Sequence, residues 1–301
     1  MARKWQFEVG RVRATTRLGY DYLRSLLQPV RGGAGLDRHL DVSTVATDLG
    51  SGAGGRFPER LRLVSWNIHR SYDARGVVES LRSLMRDRDP HLLLLQEVPV
   101  YPHGPWWLEP DVRELLDGWH LVFAAMHRVA RPTAYYPFRE SGLLIGVRAL
   151  PESHRTVRLP VASHPKLGRN HRIERIALGV RCLAGGLASE IWNVHLENTA
   201  RPSGRVRQAT ALAASLGDGP QIVGGDVNTL FGLLEGVAAA FEAAGLERIP
   251  LRHGRWLSPS IDQIFVRGAS RAAGEVLRLR GSDHFPIAAE VELAAAPPGT
   301  R

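Results

Sequence analysis

The stretch "HLLLLQEV" at residues 91–98 decides the fold class of this 301-residue chain. Its continuous apolar run is typical of a strand that is covered on both faces. The segment before it, residues 76–90, places Val77, Leu81 and Leu84 on one helical face and ends at a proline, which predicts a helix. A helix that leads into a fully buried strand indicates sheets and helices packed in layers around a core.

The same alternation of apolar segments and turn residues continues towards the end of the chain. Many strands, few helices and no repeat period predict sheets that pack on each other and are flanked by helices. The further strands are predicted at residues 61–68, 141–148, 175–183, 189–197, 221–228, 260–268, 274–279 and 285–293, and the further helices at residues 204–216 and 233–245.

Residues 98–140 break this pattern, because they are rich in Trp, Tyr, His and Pro. We interpret them as a long loop between two strands. The rings of the loop could stack on nucleic-acid bases, lie at a lipid interface or pack against the sheets. Packing is favoured for Trp119 and Phe123.

The composition divides the chain into three parts. Residues 1–57 read as a basic extension with a Gly-rich linker, residues 58–294 as the main domain, and residues 295–301 as a frayed tail. Every chemical motif lies in the main domain, so we expect the extension to be dispensable for chemistry.

The extension also contains helical spacing at Leu18, Tyr22 and Leu26. Such an apolar stripe could contact a membrane or a partner, although docking on its own domain is favoured. No segment has the pattern of a transmembrane helix or a secretory signal, so we expect a cytoplasmic protein. Peripheral contact with a membrane and the oligomeric state are left open.

The charge of the chain comes almost wholly from arginine. The formal net charge is +9, and Lys4 and Lys166 are the only lysines. This excess indicates a polyanionic or phosphate-bearing partner, such as nucleic acid, or equally an arginine-rich proteome. The single cysteine, Cys182, lies in a predicted strand and cannot form an internal disulfide, so we expect a buried, inert thiol.

Polar residues occur where the predicted apolar strands end or begin. A carboxylate at such a position is costly unless it is paired or bound to a cation, so Glu97, Asp226 and Asp283 indicate a metal. Each motif alone has a structural alternative. Glu97 can cap a helix or pair with an arginine, and His195 can be a core histidine. "GGDVN" can be a tight turn, and "SDH" can be an N-cap or an Asx-turn. The whole set comprises Asn67, Glu97, His195, Asp226, Asn228, Asp262, Asp283 and His284.

These residues belong to seven motifs in a fixed order: "SWNI", "LQEV", "ESGLLIG", "WNVHLEN", "GGDVN", "SIDQIF" and "SDHFPI". The series resembles the endonuclease/exonuclease/phosphatase superfamily over residues 60–293. The resemblance implies an α+β fold, a four-layer α/β/β/α sandwich in which two mixed sheets pack face to face with flanking helices. It also implies an active site at one edge, where loops from the two sheets meet.

The resemblance implies a metal site formed by Asn67, Glu97 and Asp283. Oxygen ligands of this kind suit Mg²⁺, for which Mn²⁺ can substitute. We therefore expect Mg²⁺ as the cofactor.

The resemblance also implies roles around the scissile phosphate. Asp226 and Asn228 match the pair that positions the attacking water and the phosphoryl oxygens. His195 and His284 match the two histidines that flank the phosphate, and Asp262 matches the carboxylate that orients His284.

The activity implied is divalent-metal-dependent hydrolysis of phosphodiester bonds, or of phosphomonoesters. Arg175 is a weaker match to a phosphate-binding arginine. The substrate implied is a phosphate ester, either nucleic acid or a small or lipid phosphodiester. Phosphoryl transfer needs positioning and charge neutralisation, and no "GxSxG" serine motif competes with this interpretation. The alternative is a non-catalytic module that retains the fold and binds nucleic acid or an anionic membrane.

Overall fold

A computed structural model describes residues 44–49, 57–134, 136–160, 171–184, 187–198, 202–229, 236–252 and 261–294. The helical spacing of the extension, the Gly-rich linker and the tail lie outside these residues. Within them, the chain forms two mixed sheets that face each other, with helices on the outer faces. No helix of this part of the chain is long and apolar enough to cross a membrane.

The first sheet has ten strands, which run in the order β1-β5-β6-β3-β2-β16-β15-β13, with β4 on β3 and β8 on β5. β2 and β3 are parallel neighbours, and β16 is antiparallel to β2 in the middle of the sheet. The strands are β1 (Thr44–Asp48), β2 (Arg60–Asn67), β3 (Leu92–Tyr101), β4 (Gly104–Pro105), β5 (His120–Val129), β6 (Glu140–Val147), β8 (His171–Ile173), β13 (Leu251–Arg252), β15 (Ala269–Val276) and β16 (Ile287–Leu293).

The second sheet has six strands in the order β12-β14-β11-β10-β9-β7. β10 and β11 are parallel, and the remaining neighbours are antiparallel. The strands are β7 (Ser153–Arg158), β9 (Ile176–Ala184), β10 (Leu187–His195), β11 (Gln221–Asp226), β12 (Glu247–Arg248) and β14 (Asp262–Arg267).

The helices cover the outer faces of the sheets. α1 (Ala74–Arg88) and α2 (Pro110–Leu115) pack on the first sheet, and α3 (Pro202–Ala213) and α4 (Val237–Glu242) pack on the second. A third apolar cluster fills the space between the sheets, with Leu92, Leu94 and Ile145 on one side and Leu178 and Ile222 on the other. These layers confirm the predicted four-layer sandwich, because β3 is buried on both faces.

The interpretation of residues 98–140 as a loop was wrong. This segment contains β5, which is fully integrated between β1 and β6, and also α2. Trp106, Trp107 and Trp119 are buried, and Phe123 packs against Trp107 with 4.8 Å between ring centroids. The aromatic residues therefore build the core between the first sheet and its helices, as expected for Trp119 and Phe123.

The structure also contains strands that the sequence patterns missed or misplaced. β7 is an edge strand with a largely exposed, polar pattern, and the segment predicted as a strand at residues 274–279 is a strand at Ala269–Val276. β1 pairs with β5, and Phe57 is buried in the core between the sheets. Part of the segment assigned to the N-terminal extension therefore belongs to the sandwich.

The topology brings several strand ends to one edge of the molecule. The parallel strands β2 and β3 end there in the first sheet, and β10 and β11 end there in the second. β14 and β16 run antiparallel to β11 and β2, so each of them begins at the same edge. Ends of parallel strands are the usual place for ligand sites in open sheets.

Candidate active site

Two side chains connect the sheets at this edge. Asn67 is the last residue of β2, and Asp226 is the last residue of β11. Asn67 Nδ2 donates a hydrogen bond to Asp226 Oδ2 at 2.9 Å. The Asp226 carboxylate also accepts from the Asn228 backbone N–H at 2.9 Å. The two sheets thus meet through polar groups at the point where the apolar core between them ends.

A β-bulge in β3 turns Glu97 towards the same edge. The pairing of β3 with β6 gains one residue on β3 between Leu95 and Val98, and Glu97 has a left-handed backbone conformation with φ of 56°. Such a conformation in a non-Gly residue is rare in a strand and re-aims the side chain.

Buried amides satisfy the backbone around this bulge. Asn193 Nδ2 donates to the carbonyl oxygens of Leu95 at 2.8 Å and Leu144 at 2.9 Å. Gln96 Nε2 donates to Asn193 Oδ1 at 2.7 Å. Asn193 comes from β10, so the second sheet holds the bulge of the first in place.

The residues after Asn67 form a left-handed turn. His69, Arg70 and Ser71 have φ values of 47°, 53° and 55°. This conformation costs roughly 1–2 kcal/mol per residue for side chains other than Gly, Asn and Asp. The turn brings Arg70 Nε to 3.2 Å from Glu97 Oε2 and His69 Nδ1 to 3.4 Å from Asp283 Oδ1. Two basic side chains therefore lie beside two of the predicted metal ligands.

The "SDH" loop is fixed by hydrogen bonds to β2. Ser282 Oγ donates to the Asn67 carbonyl oxygen at 2.6 Å, and Trp66 Nε1 donates to the His284 carbonyl oxygen at 3.0 Å. Gly281 has φ of 105°, and a Cβ there would collide with the backbone of Gly76 and Val77. The loop is consequently seated on the first turn of α1, with Asp283 and His284 at the site.

His284 lies between two carboxylates. Its Nδ1 is 2.9 Å from Asp262 Oδ2, and its Nε2 is 3.6 Å from Asp226 Oδ2. Asp226 and Asp262 are directly opposite each other on β11 and β14. Like charges at opposed positions destabilise a sheet, and a cationic imidazole between them relieves the repulsion. The predicted contact between Asp262 and His284 is therefore present.

His284 and His195, the two predicted site histidines, differ in charge. Burial alone would lower the pKa of His284, but Asp262 and Asp226 outweigh burial and raise its pKa well above the ordinary value. Burial and, to a smaller extent, the Arg175 guanidinium lower the pKa of His195 to about 3. At neutral pH the site thus holds one imidazolium and one neutral imidazole, whose Nε2 is 3.5 Å from Asp226 Oδ2.

The carboxylates differ as well. Burial raises the pKa of Asp226, while His284 opposes this rise. For Glu97, burial acts to raise the pKa, but nearby positive charge, that of Arg70 foremost, outweighs burial and lowers the pKa overall. A pair of carboxylates with divergent pKa values is a common feature of acid–base sites.

The site offers two groups of side chains that could hold a cation. One ligand atom from each of Asp226, Asp262 and His284 lies within 4.8 Å of the others. The 2.9 Å contact marks Asp262 and His284 as a hydrogen-bonded dyad, which satisfies these ligand atoms without a metal. The other group is the predicted one, Asn67, Glu97 and Asp283.

The second group fits a hard divalent cation. Glu97 Oε2 is buried and has no hydrogen-bond partner among the residues that the structure describes. The Arg70 guanidinium, 3.2 Å away, is its charged neighbour, as in the alternative of a pair with an arginine, but the missing hydrogen bond leaves this oxygen able to bind a further cation. Carboxylate and amide oxygens are the ligands that Mg²⁺ prefers.

The remaining predicted residues lie close to this cleft. Asn228 has φ of 52°, and its Nδ2 donates to the Leu196 carbonyl oxygen at 2.9 Å. Arg175 is buried, with Nη1 at 3.4 Å from the His195 carbonyl oxygen and Nη2 at 3.5 Å from Glu197 Oε1. In this structure Arg175 therefore packs behind His195.

Sequence reasoning missed two groups of residues at the site. It assigned no role to His69 or Arg70, because no Gly or Asn marks the left-handed turn that aims them. It also missed Gln96 and Asn193, whose role depends on a bulge that only pairing reveals. The sequence did offer one indication for His69 and Arg70, because they lie two and three residues after Asn67.

The architecture and the cleft together define a layered α+β hydrolase fold with a polar site between its two sheets. The chain belongs to the endonuclease/exonuclease/phosphatase family, whose model matches residues 64–284. The family consists of phosphohydrolases and nucleases and generally uses a divalent metal. No curated protein matches the sequence.

Solved structures share the fold at low sequence identity. A family member from Beutenbergia cavernae is 22% identical, with a TM-score of 0.61 over 80% of this chain and 74% of its own. The human Nocturnin catalytic domain, solved with a bound sulfate anion, is 18% identical, with a TM-score of 0.56 over 83% and 97%. The 3' phosphatase NExo from Neisseria, bound to a product DNA hairpin, is 16% identical, with a TM-score of 0.50 over 78% and 100%.

Proposed function

We propose that this protein is a divalent-metal-dependent hydrolase of phosphodiester bonds. The observation that carries the proposal is the arrangement of His284 between Asp262 and Asp226, with Asp226 joined across the sheets to Asn67. An imidazolium, a neutral imidazole and a buried carboxylate then face one cleft. This combination suits in-line attack of water on phosphorus, which needs charge neutralisation and positioning more than covalent help.

The side chains have distinct roles in the proposed reaction. Asp226, whose pKa is raised by burial, orients the attacking water and takes its proton as the new P–O bond forms. The P–O bond to the leaving group breaks in the same step, and the leaving oxygen takes a proton from solvent. His284 stabilises the negative charge on the phosphoryl oxygens, and Asp262 fixes its ring orientation. The neutral His195 donates a hydrogen bond to the phosphate. Asn228 contributes to the positioning of the water and the phosphoryl oxygens.

Asn67, Glu97 and Asp283 would hold Mg²⁺ or Mn²⁺. When bound, the cation supplies a Lewis acid that offsets the charge of the phosphate. Replacing Glu97 by Gln removes a charged oxygen ligand, so we expect weaker Mg²⁺ binding in calorimetric titration. Unchanged affinity in Glu97→Gln would remove Glu97 from the metal site.

A substrate screen tests the proposed activity. The purified protein is incubated with Mg²⁺ or Mn²⁺ and with bis-(p-nitrophenyl) phosphate, p-nitrophenyl phosphate, plasmid DNA, RNA, sphingomyelin and phosphoinositides. We expect turnover of diesters that chelation abolishes. Nucleic acid is the substrate that we favour, because the arginine-rich chain carries a net charge of +9.

A different result would identify a binding module. Binding of nucleic acid that needs no metal, weakens steeply with salt and is accompanied by no turnover of any ester would contradict the proposed hydrolase.

A further inference from the structure

The left-handed turn at residues 69–71 invites a functional explanation. Three consecutive non-Gly residues hold a conformation that is unfavourable for each of them. Such strain persists only where the surrounding structure enforces it, and it clusters at functional sites. Besides bringing His69 to Asp283, the turn directs the side chain of Arg70 at the buried carboxylate of Glu97.

The contact between Arg70 and Glu97 differs from a structural ion pair. Arg70 Nε is 3.2 Å from Glu97 Oε2, but neither atom has a hydrogen-bond partner among the described residues. Arginine–carboxylate pairs that stabilise a fold are usually hydrogen-bonded and often bidentate. The Arg70 guanidinium also lies over the ring of Phe138, with 5.6 Å between its central carbon and the ring centroid, and 22% of the side chain is exposed. It is thus held in place and retains access to the cleft.

Electrostatics indicates what Arg70 would contact. A divalent cation at Glu97 and the Arg70 guanidinium would be two positive charges beside one carboxylate, and like charges repel strongly in a partly buried site. An anion between them removes this repulsion. A phosphate group is such an anion, and the planar fork of arginine matches its oxygens.

We propose that Arg70 is a substrate-binding residue that holds the phosphate group next to the cation at Glu97, and that the left-handed turn positions it there. This assignment rests on the proposed function, because it places a phosphate ester in the cleft. It names a further contact for that substrate, supplied by the segment directly after Asn67.

The test measures ligand binding without turnover. Inorganic phosphate is titrated into the protein at saturating Mg²⁺, and Mg²⁺ is titrated separately, both by calorimetry. In Arg70→Met we expect phosphate affinity to fall roughly tenfold to a hundredfold, while Mg²⁺ affinity is unchanged or higher. Arg70→Lys should lose less, because it keeps the charge but not the fork. Arg75→Met is the matched control, since Arg75 is an exposed arginine on α1 that pairs with Glu79.

A second variant separates substrate binding from support of the fold. Asn tolerates the left-handed conformation better than Arg does, so Arg70→Asn should unfold at the same or a higher temperature while it loses phosphate affinity. A residue whose role was to support Glu97 would behave differently: its replacement would lower the unfolding temperature and weaken Mg²⁺ binding as Glu97→Gln does, with phosphate affinity intact at saturating Mg²⁺. That result would overturn the assignment.

The two proposals can fail independently. If the wild-type protein binds phosphate in an Arg70-dependent manner but hydrolyses no ester, the proposed function is wrong and the assignment of Arg70 stands. If it hydrolyses diesters and Arg70→Met leaves KM and phosphate affinity unchanged, the assignment is wrong and the proposed function stands.

Discussion

Residues of the same type acquire different chemistry in this site because of what surrounds them. His284 has two carboxylates within reach of its ring, so it is cationic at neutral pH. His195 is buried next to Arg175, so it is neutral. The order of motifs in the sequence predicts that both histidines belong to the site. It does not predict their charge states, because those depend on burial and on neighbours from other strands.

The dyad of Asp262 and His284 leads to a prediction about turnover. Asp262→Asn should lower turnover at saturating Mg²⁺ by roughly 10²- to 10⁴-fold, because His284 loses the group that orients it and favours its charged form. Mg²⁺ affinity should be preserved. His284→Ala in the Asp262→Asn background should add little further loss, since the two residues act as a unit. Steady-state rates of the single and double variants measure this, and losses that multiply would contradict the dyad.

At the scale of elements, the site depends on a loop that is seated on a helix. The residues of α1 and β16 were predictable from periodicity, since each has a regular apolar pattern next to a proline, Pro90 after α1 and Pro286 before β16. The contact between Gly281 and the start of α1 was not, because it joins residues that are distant in the chain. The same limit explains why β5 was missed: its apolar face is shared with Trp residues that resemble a loop in sequence.

Gly281 provides a prediction about this contact. Gly281→Ala should lower the free energy of unfolding by about 2–4 kcal/mol, because the new Cβ collides with α1 and the backbone conformation disfavours a side chain. Mg²⁺ affinity should also weaken, since the loop carries Asp283. Gly118→Ala is the matched control: Gly118 also has a positive φ, of 78°, but no atom of the described residues lies within 4 Å of its Cβ position. Denaturant unfolding of both variants checks the prediction. An equal loss in the free energy of unfolding for the two variants would contradict it.

At the scale of the whole molecule, the cleft is an interface between two sheets. The sandwich itself was predictable, because a fully apolar strand such as β3 requires cover on both faces. The polar links between the sheets were not, since an Asn in "WNVH" could equally face solvent. Asn193 is instead fully buried in the second sheet, and its side chain donates hydrogen bonds to backbone carbonyl oxygens of the first sheet.

Asn193 therefore matters for stability. Asn193→Ala should lower the free energy of unfolding by about 2–5 kcal/mol, because the carbonyl groups of Leu95 and Leu144 lose their donor. Ser189→Ala is the comparison: Ser189 is also buried on β10, but its hydroxyl donates to the Leu187 carbonyl oxygen of its own strand in a long, 3.5 Å contact. We expect less than about 1.5 kcal/mol for that variant. Chemical denaturation measures both, and a similar loss in the two variants would argue against a special role for Asn193.

β16 lies between β2 and β15, so the first sheet depends on it. A chain that ends at residue 286 keeps every predicted site residue but lacks β16. We expect it to show no cooperative thermal unfolding and no Mg²⁺ binding, because β2 loses one of its two neighbours and the "SDH" loop loses its anchor. A chain that ends at residue 294 should behave as the full chain does. Metal binding by the shorter chain would show that the site can form without β16.

The contact between Trp66 and the backbone of His284 has a consequence in time. These residues are 218 positions apart, so a ribosome that adds about 5–20 residues per second needs on the order of ten to forty seconds to make the second after the first. Throughout that interval the cleft lacks His284 and Asp283, one of the three proposed metal ligands. The proposed activity can therefore begin only after the "SDH" loop leaves the ribosome and β16 inserts beside β2.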